Sequence, residues 1–222
     1  FVTGYGATYN PSKNSLKLTQ LIALKASAEG NLADVISKNT NYNNKVNERI
    51  TAFSGLKSLS TRLVNALQTT DATDETIGNA KTFNRKMQGK KASSAQTPTD
   101  PNTPAPTTIS TSQQSYDQLI QHLAGLTSVL EAEPSYTPNE TDLQVATIQT
   151  KIADLTAKNT AVATAYTSIS NSRIARNETL YSSTTGLVET ANEVKKYVKS
   201  VFGASSPQFA QVKGIEFKKL KI

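Results

Sequence analysis

Apolar residues recur along the first third of the chain in alternating steps of three and four. From Leu18 the steps reach Leu21, Lys25, Ala28, Leu32, Val35, Asn39, Tyr42, Val46, Arg49, Phe53, Leu56, Ser60, Leu63 and Leu67, with no frame shift and no proline. A 3.5-residue spacing keeps one stripe of a helix turned toward a partner helix along its whole length. A second run passes through Val145, Ile148, Ile152, Leu155, Asn159, Val162, Tyr166, Ile169, Arg173, Arg176, Leu180, Ser183, Leu187, Ala191, Val194, Val198 and Val201. The first run predicts a helix over 11–69, with Asn10 as its cap and Pro11 at the first helical position. The second predicts a helix over 137–203, opened by a Thr137–Glu140 capping box and closed at Gly203, with Ser206-Pro207 beyond as the stop. Helices of about 57 and 65 residues would run roughly 85–100 Å, a length that points to a coiled coil. The weakest places are the asparagine-rich stretch 39–44 and the stretch 170–177. Both stripes hold their phase there, which favours continuous helices.

Two shorter amphipathic segments lie between. Residues 71–90 carry Ile77, Ala80, Phe83 and Met87, and residues 112–132 carry Tyr116, Leu119, Ile120, Leu123, Leu126 and Leu130. A Thr-, Ser- and Pro-rich linker over 92–111 joins them and has the composition of a solvated connector. Matching lengths gives an all-α fold for 1–222 as a single elongated unit. Two long antiparallel helices form a coiled-coil hairpin, and the two short helices complete a four-helix bundle at one end. The other end would carry the tails, 1–10 and 204–222.

That distal end is too apolar for a two-helix seam. Leu18, Leu21 and Ile22 lie around one helix; Tyr197, Val198, Val201 and Phe202 lie around the other. Something must cover them. The tails, with Phe1, Tyr5 and Tyr9 before and Phe209, Val212, Ile215 and Phe217 after, are one candidate; a neighbouring copy is the other. The alternation around Ile215, Glu216 and Phe217 predicts a short strand or extended flap over Val212–Ile222.

Charge is uneven. The chain carries a net +7, yet residues 81–91 hold five bases and no acid, and residues 92–150 hold six acids and no base. Residues 151–222 hold eleven bases against five acids, including Lys218, Lys219 and Lys221 in the tail. This pattern suggests an acidic bundle and a basic tail, which matters for association more than for fold. The basic patches suit a phosphate-bearing or lipid surface in a generic way. Nucleic acid is disfavoured as a partner, because the aromatic residues follow the helical stripes instead of interleaving with bases.

Catalytic constellations are missing from the sequence. There is no Cys and a single His, His122, which excludes thiol nucleophiles, zinc ribbons and paired-His metal sites. No Walker, Rossmann, HExxH, EF-hand or GxSxG motif occurs. Nothing approaches 18 consecutive apolar residues. Asn39, Asn159, Arg173 and Arg176 fall on the predicted seams, where polar residues set register and pairing. Neither an enzyme nor a cofactor is expected.

Three stretches carry a resemblance: Lys81–Lys91, Ile174–Tyr181 and Val194–Ala204. They are similar to a family of uncharacterised all-helical proteins from Bacteroidetes bacteria. The resemblance implies a bacterial, helical protein and assigns no activity and no site residue. The expected function is therefore that of a structural or interaction protein, a helical rod assembling with itself or a scaffold protein. The alternatives are a membrane-active helical protein acting at a bilayer surface and a nucleic-acid-associated protein using the basic tail. Candidate interaction residues are Leu18, Leu21, Ile22, Tyr197, Val198, Val201, Phe202, Phe209, Phe217, Lys218, Lys219 and Lys221. Abundant Thr, Ser and Asn lean toward an extracytoplasmic or surface location.

Overall fold

The structure, a computed structural model, describes residues 1–89 and 114–218. The linker over 92–111, Lys219 and Lys221 lie outside the described residues. Among those described, all regular structure is helical. The α-helices are α1 (Leu18–Phe53), α2 (Leu56–Leu67), α3 (Asp74–Gln88), α4 (Tyr116–Glu131), α5 (Val145–Tyr181), α6 (Leu187–Phe202) and α7 (Pro207–Lys213). Short 3-10 helices cover Val2–Thr8, Asn14–Leu16 and Thr141–Leu143.

Both long helices pass unbroken through the asparagine-rich stretch and through 170–177. They break elsewhere. The helix expected over 11–69 starts only at Leu18 and is interrupted at Ser54-Gly55, where the Ser54 hydroxyl bonds back to the Thr51 carbonyl at 2.8 Å. The helix expected over 137–203 starts at Val145 and is interrupted over 182–186. There Gly186 sits so close to the preceding turn that a Cβ would lie 2.5 Å from the Ser182 nitrogen. The late starts share one cause. A tyrosine hydroxyl takes the carbonyl of the residue seven positions on, Tyr9 to Leu16 at 2.8 Å and Tyr136 to Leu143 at 2.9 Å. The next residue, Lys17 or Gln144, is then extended, with ψ 145° or 139°. Asn10–Pro11 and Thr137–Glu140 thus lead into 3-10 turns and do not cap α-helices.

Of the strand or extended flap expected over Val212–Ile222, the described residues 212–218 form no strand, and 219–222 lie outside the described residues. Ser206 accepts a hydrogen bond from the Phe209 nitrogen at 3.1 Å, Pro207 opens a helix, and α7 runs to Lys213. Phe209 and Val212 share a helical face three residues apart, so the cap and the pattern agree. Residues 215–218 have no regular structure. α3 begins at its Thr73 cap and ends at Gly89, which is left-handed at φ 72°. α4 begins at its Ser115 cap.

The chain groups into two compact units. Unit 1 comprises Phe1–Asn43 with Thr164–Ile222, and unit 2 comprises Asn44–Ala163. Unit 2 is a helical bundle with an aliphatic core, in which Leu56, Leu63, Leu67, Leu123, Leu126 and Leu130 are buried. Within it α3 and α4 approach closely at Gly125, where any Cβ would collide with the Phe83 ring. Unit 1 has a smaller core of Tyr9, Leu16, Val194, Val198 and Val212.

Candidate interaction surface

In unit 1 the tails cover the apolar helix ends. Tyr9 packs edge-on against Tyr197 at 5.1 Å, and Tyr5 packs against Phe202 at 5.2 Å. The Tyr5 hydroxyl donates to the Gln208 carbonyl at 3.0 Å, joining the first tail to α7. Burial pushes the Tyr9 hydroxyl up to about 12, with the neighbouring Tyr197 adding to the effect. The Lys195 ammonium donates to the Ile215 carbonyl at 2.5 Å and lies 5.7 Å from the Phe217 ring centre, which holds the last described segment in place.

Several expected interaction residues therefore serve this unit's own core. Val198 is fully buried, and Leu21, Tyr197, Phe202 and Phe209 pack against the same cluster. Leu18 is half-buried; Ile22 and Val201 remain exposed. Phe217 lines a cavity of about 220 Å³ whose walls include Leu21, Leu24, Ala191 and Val194, with Lys25 and Lys195 also on its lining. Lys218 is exposed, with Glu216 at 3.8 Å.

The buried stripes are not quite the expected ones. In α1 the inward rows run through Leu21, Leu24, Ala28, Asn31, Val35, Lys38, Tyr42, Lys45 and Arg49, leaving Lys25 and Leu32 exposed. In α5 they run through Ile148, Lys151, Leu155, Lys158, Val162, Ala165, Ile169, Ser172 and Arg176, leaving Tyr166 and Arg173 exposed. One predicted row is kept in each helix; of the other, Lys25, Leu32, Tyr166 and Arg173 face outward, while Asn39, Val46, Ile152 and Asn159 stay half-buried beside Lys38, Lys45, Lys151 and Lys158. Polar partners explain this displacement. In unit 1 the Asn31 amide donates to the Thr179 hydroxyl at 2.7 Å, and the Ser172 hydroxyl donates to Asp34 at 2.5 Å. In unit 2 Lys158 pairs with Glu48 at 3.4 Å. Satisfied polar groups can occupy an inner row without the cost of an unpaired one.

A different apolar row is consequently left outside. Ile22, Leu32 and Ile36 are 57%, 44% and 69% exposed. With Lys25 and Glu29, an exposed pair at 3.4 Å, they stand at heptad spacing along one face of α1. Leu32 and Ile36 are not among the interaction residues expected from sequence; Leu32 falls on the expected inner stripe and is turned out by Asn31, while Ile36 lies off both rows. Tyr166 and Ile174 on α5 are also exposed.

Of the polar seam residues, Asn159 has a defined part in unit 2. It accepts from Arg49 at 3.0 Å and donates to Asp117 at 2.7 Å, while the Arg49 guanidinium lies 4.0 Å from the centre of the Tyr116 ring. Charge also divides by unit. By sequence, unit 2 holds eleven Lys/Arg and eleven Asp/Glu, while unit 1 holds thirteen against six and so carries the whole net +7. The basic stretch 81–91 and the acidic stretch 92–150 fall in the same unit and offset each other. Among the described residues no three His, Asp or Glu side chains converge as a metal site, and no helix is long and apolar enough to cross a membrane. Comparison with family models, with curated proteins and with solved structures finds no match for the chain.

Proposed function

We propose that the chain is a non-enzymatic interaction protein that associates, with itself or with a scaffold protein, through the outer face of α1. The observation that carries this reading is the row Ile22, Leu32 and Ile36, three large apolar side chains at heptad spacing that their own unit leaves exposed. The coiled-coil hairpin belongs to the same reading. Antiparallel contacts within each unit support it, Asn31 to Thr179 and Asp34 to Ser172 in one, Glu48 to Lys158 in the other.

Because unit 1 carries +7, copies meeting through α1 repel one another, and salt should strengthen their association. Light scattering across concentration at low and high salt tests this. Association that rises with salt and is lost in Ile22→Lys/Ile36→Lys supports the reading. A strictly monomeric wild type at high concentration and high salt overturns self-association, leaving the scaffold partner to be sought with the same variant as control.

The charge of unit 1 favours a second reading, attachment to an anionic surface in an extracytoplasmic or surface setting. Cosedimentation with anionic but not neutral vesicles tests it, and heparin retention without vesicle binding would favour the nucleic-acid alternative.

A further inference from the structure

The two halves of the chain repeat one another, at an offset of 127 residues through the tyrosine turn and of 131 through the helix that follows each glycine, Gly55 or Gly186. Tyr9, Pro11, Leu16, Leu18 and Leu21 correspond to Tyr136, Pro138, Leu143, Val145 and Ile148. The structure repeats with them. Each set makes the same buried tyrosine-to-carbonyl bond, the same 3-10 turn, the same extended residue and then a long helix. The half that supplies a turn to one unit supplies the following helices to the other. The 3-10 turn Asn14–Leu16 packs on α6, and Thr141–Leu143 packs on α2. Both of these helices follow a glycine, Gly186 or Gly55.

The repeat differs in sign at the place where turn meets helix. In unit 1 Lys13 of the turn binds both carboxylate oxygens of Glu193 at 2.6 Å. In unit 2 the position equivalent to Lys13 is Glu140, close to Asp142, and the helix position equivalent to Glu193 is Arg62, seven residues after its glycine. Arg62 pairs with Asp142 and also feels the charge of Glu140. Polarity is reversed at both positions.

We propose that the halves 1–89 and 114–218 are oppositely charged versions of one docking surface, so that a first half accepts a second half and rejects another first half. Two first halves would set Lys13 against Arg62 twice, and two second halves would set the acidic turn against Glu193 twice. The partner is thus a second half, from the same chain or, by reciprocal exchange, from a second copy. This selectivity concerns pairing that builds the fold and stands apart from any association through the outer face of α1.

The test uses the full chain with a protease site inserted between residues 89 and 114, cut after purification. Native mass spectrometry should find the halves still paired one to one. After refolding, or after slow exchange with mass-labelled nicked protein, mixed pairs should exceed the half share that random pairing gives. Lys13→Glu should raise pairs of first halves several-fold, since that half then carries opposite signs at turn and helix. The decisive variant is Lys13→Glu with Glu193→Lys. It keeps both ion pairs and should melt like wild type, yet it makes the turn-to-helix charges attractive in every pairing, so the excess of mixed pairs should shrink to what the packing of α3 on α4 supplies. Halves that separate on cutting, random shares in the wild type, or unchanged selectivity in the double variant would each overturn the proposal.

Discussion

Unit 1 and unit 2 begin with the same device, a tyrosine that holds back the start of a long helix, and fill their interiors differently. Unit 2 surrounds it with α2, α3 and α4, where Leu56, Leu63, Leu67, Leu123, Leu126 and Leu130 are almost wholly removed from water. Unit 1 has α6, the short α7 and a 3-10 tail, and its buried cluster consists of three valines, Tyr9 and Leu16 beside an open cavity of about 220 Å³. Burial of apolar area is the main stabilising term, and close packing determines how much of it is realised. Unit 2 should therefore be the last part to open, and unit 1 the first.

The largest effects should come from the aliphatic core. Leu63→Ala or Leu126→Ala should cost about 2–5 kcal/mol, measured by urea unfolding, while Val198→Ala in unit 1 should cost about 1–2 kcal/mol. Hydrogen exchange sharpens the contrast. Val198→Ala should speed exchange in α6 and α7 and leave α2–α4 protected; uniform acceleration would show that the two units open together.

Gly125→Ala should follow, at about 1–3 kcal/mol, because the new methyl has to displace the Phe83 ring. An unchanged melting temperature would mean that α3 and α4 separate freely, contrary to a tightly packed unit 2.

The tyrosines permit a matched comparison. Tyr9→Phe and Tyr136→Phe each leave a buried carbonyl without its donor, at a cost of about 1 kcal/mol. Burial pushes both hydroxyls from 10.0 up to about 12, helped by Tyr197 at Tyr9 and by Glu140 and Asp142 at Tyr136. The folded state thus favours the protonated phenol. Its contribution is complete below pH 10 and disappears as pH rises through about 12. Alkaline titration followed by circular dichroism should show this loss in the wild type and a flatter profile in either variant.

The smallest effect belongs to the exposed ion pair. Arg62 holds Asp142 below the usual carboxylate range, so its contribution is present above that range and is lost as pH falls through the depressed value. Arg62→Gln should remove this acid dependence with little change in stability at neutral pH.

Much of the architecture was legible from the residues. The all-helical class, continuity through Asn39–Asn44 and the close of α6 at Gly203 follow from stripe phase and glycine placement. The helix starts did not, because a Pro-first cap and a proline that follows a buried tyrosine look alike until the hydroxyl is seen to reach its carbonyl. The inner rows were also only half visible. A heptad count weighs Leu32 above Asn31, and only the Thr179 hydroxyl across the seam reverses that order. The same displacement turns Leu32 outward, while the chain's own tails, not a shifted row, bury the expected interaction residues Tyr197, Val198 and Phe202.

The amino-acid pattern alone determined that this protein is built from amphipathic helices, because period and caps are local properties that each segment carries with it. Which row of each helix faces inward, and that Tyr197, Val198 and Phe202 are covered by the chain's own tails, were decided only in three dimensions. A polar or aromatic side chain is inside or outside according to whether a partner distant in sequence arrives to satisfy it, and no one-dimensional spacing records that arrival.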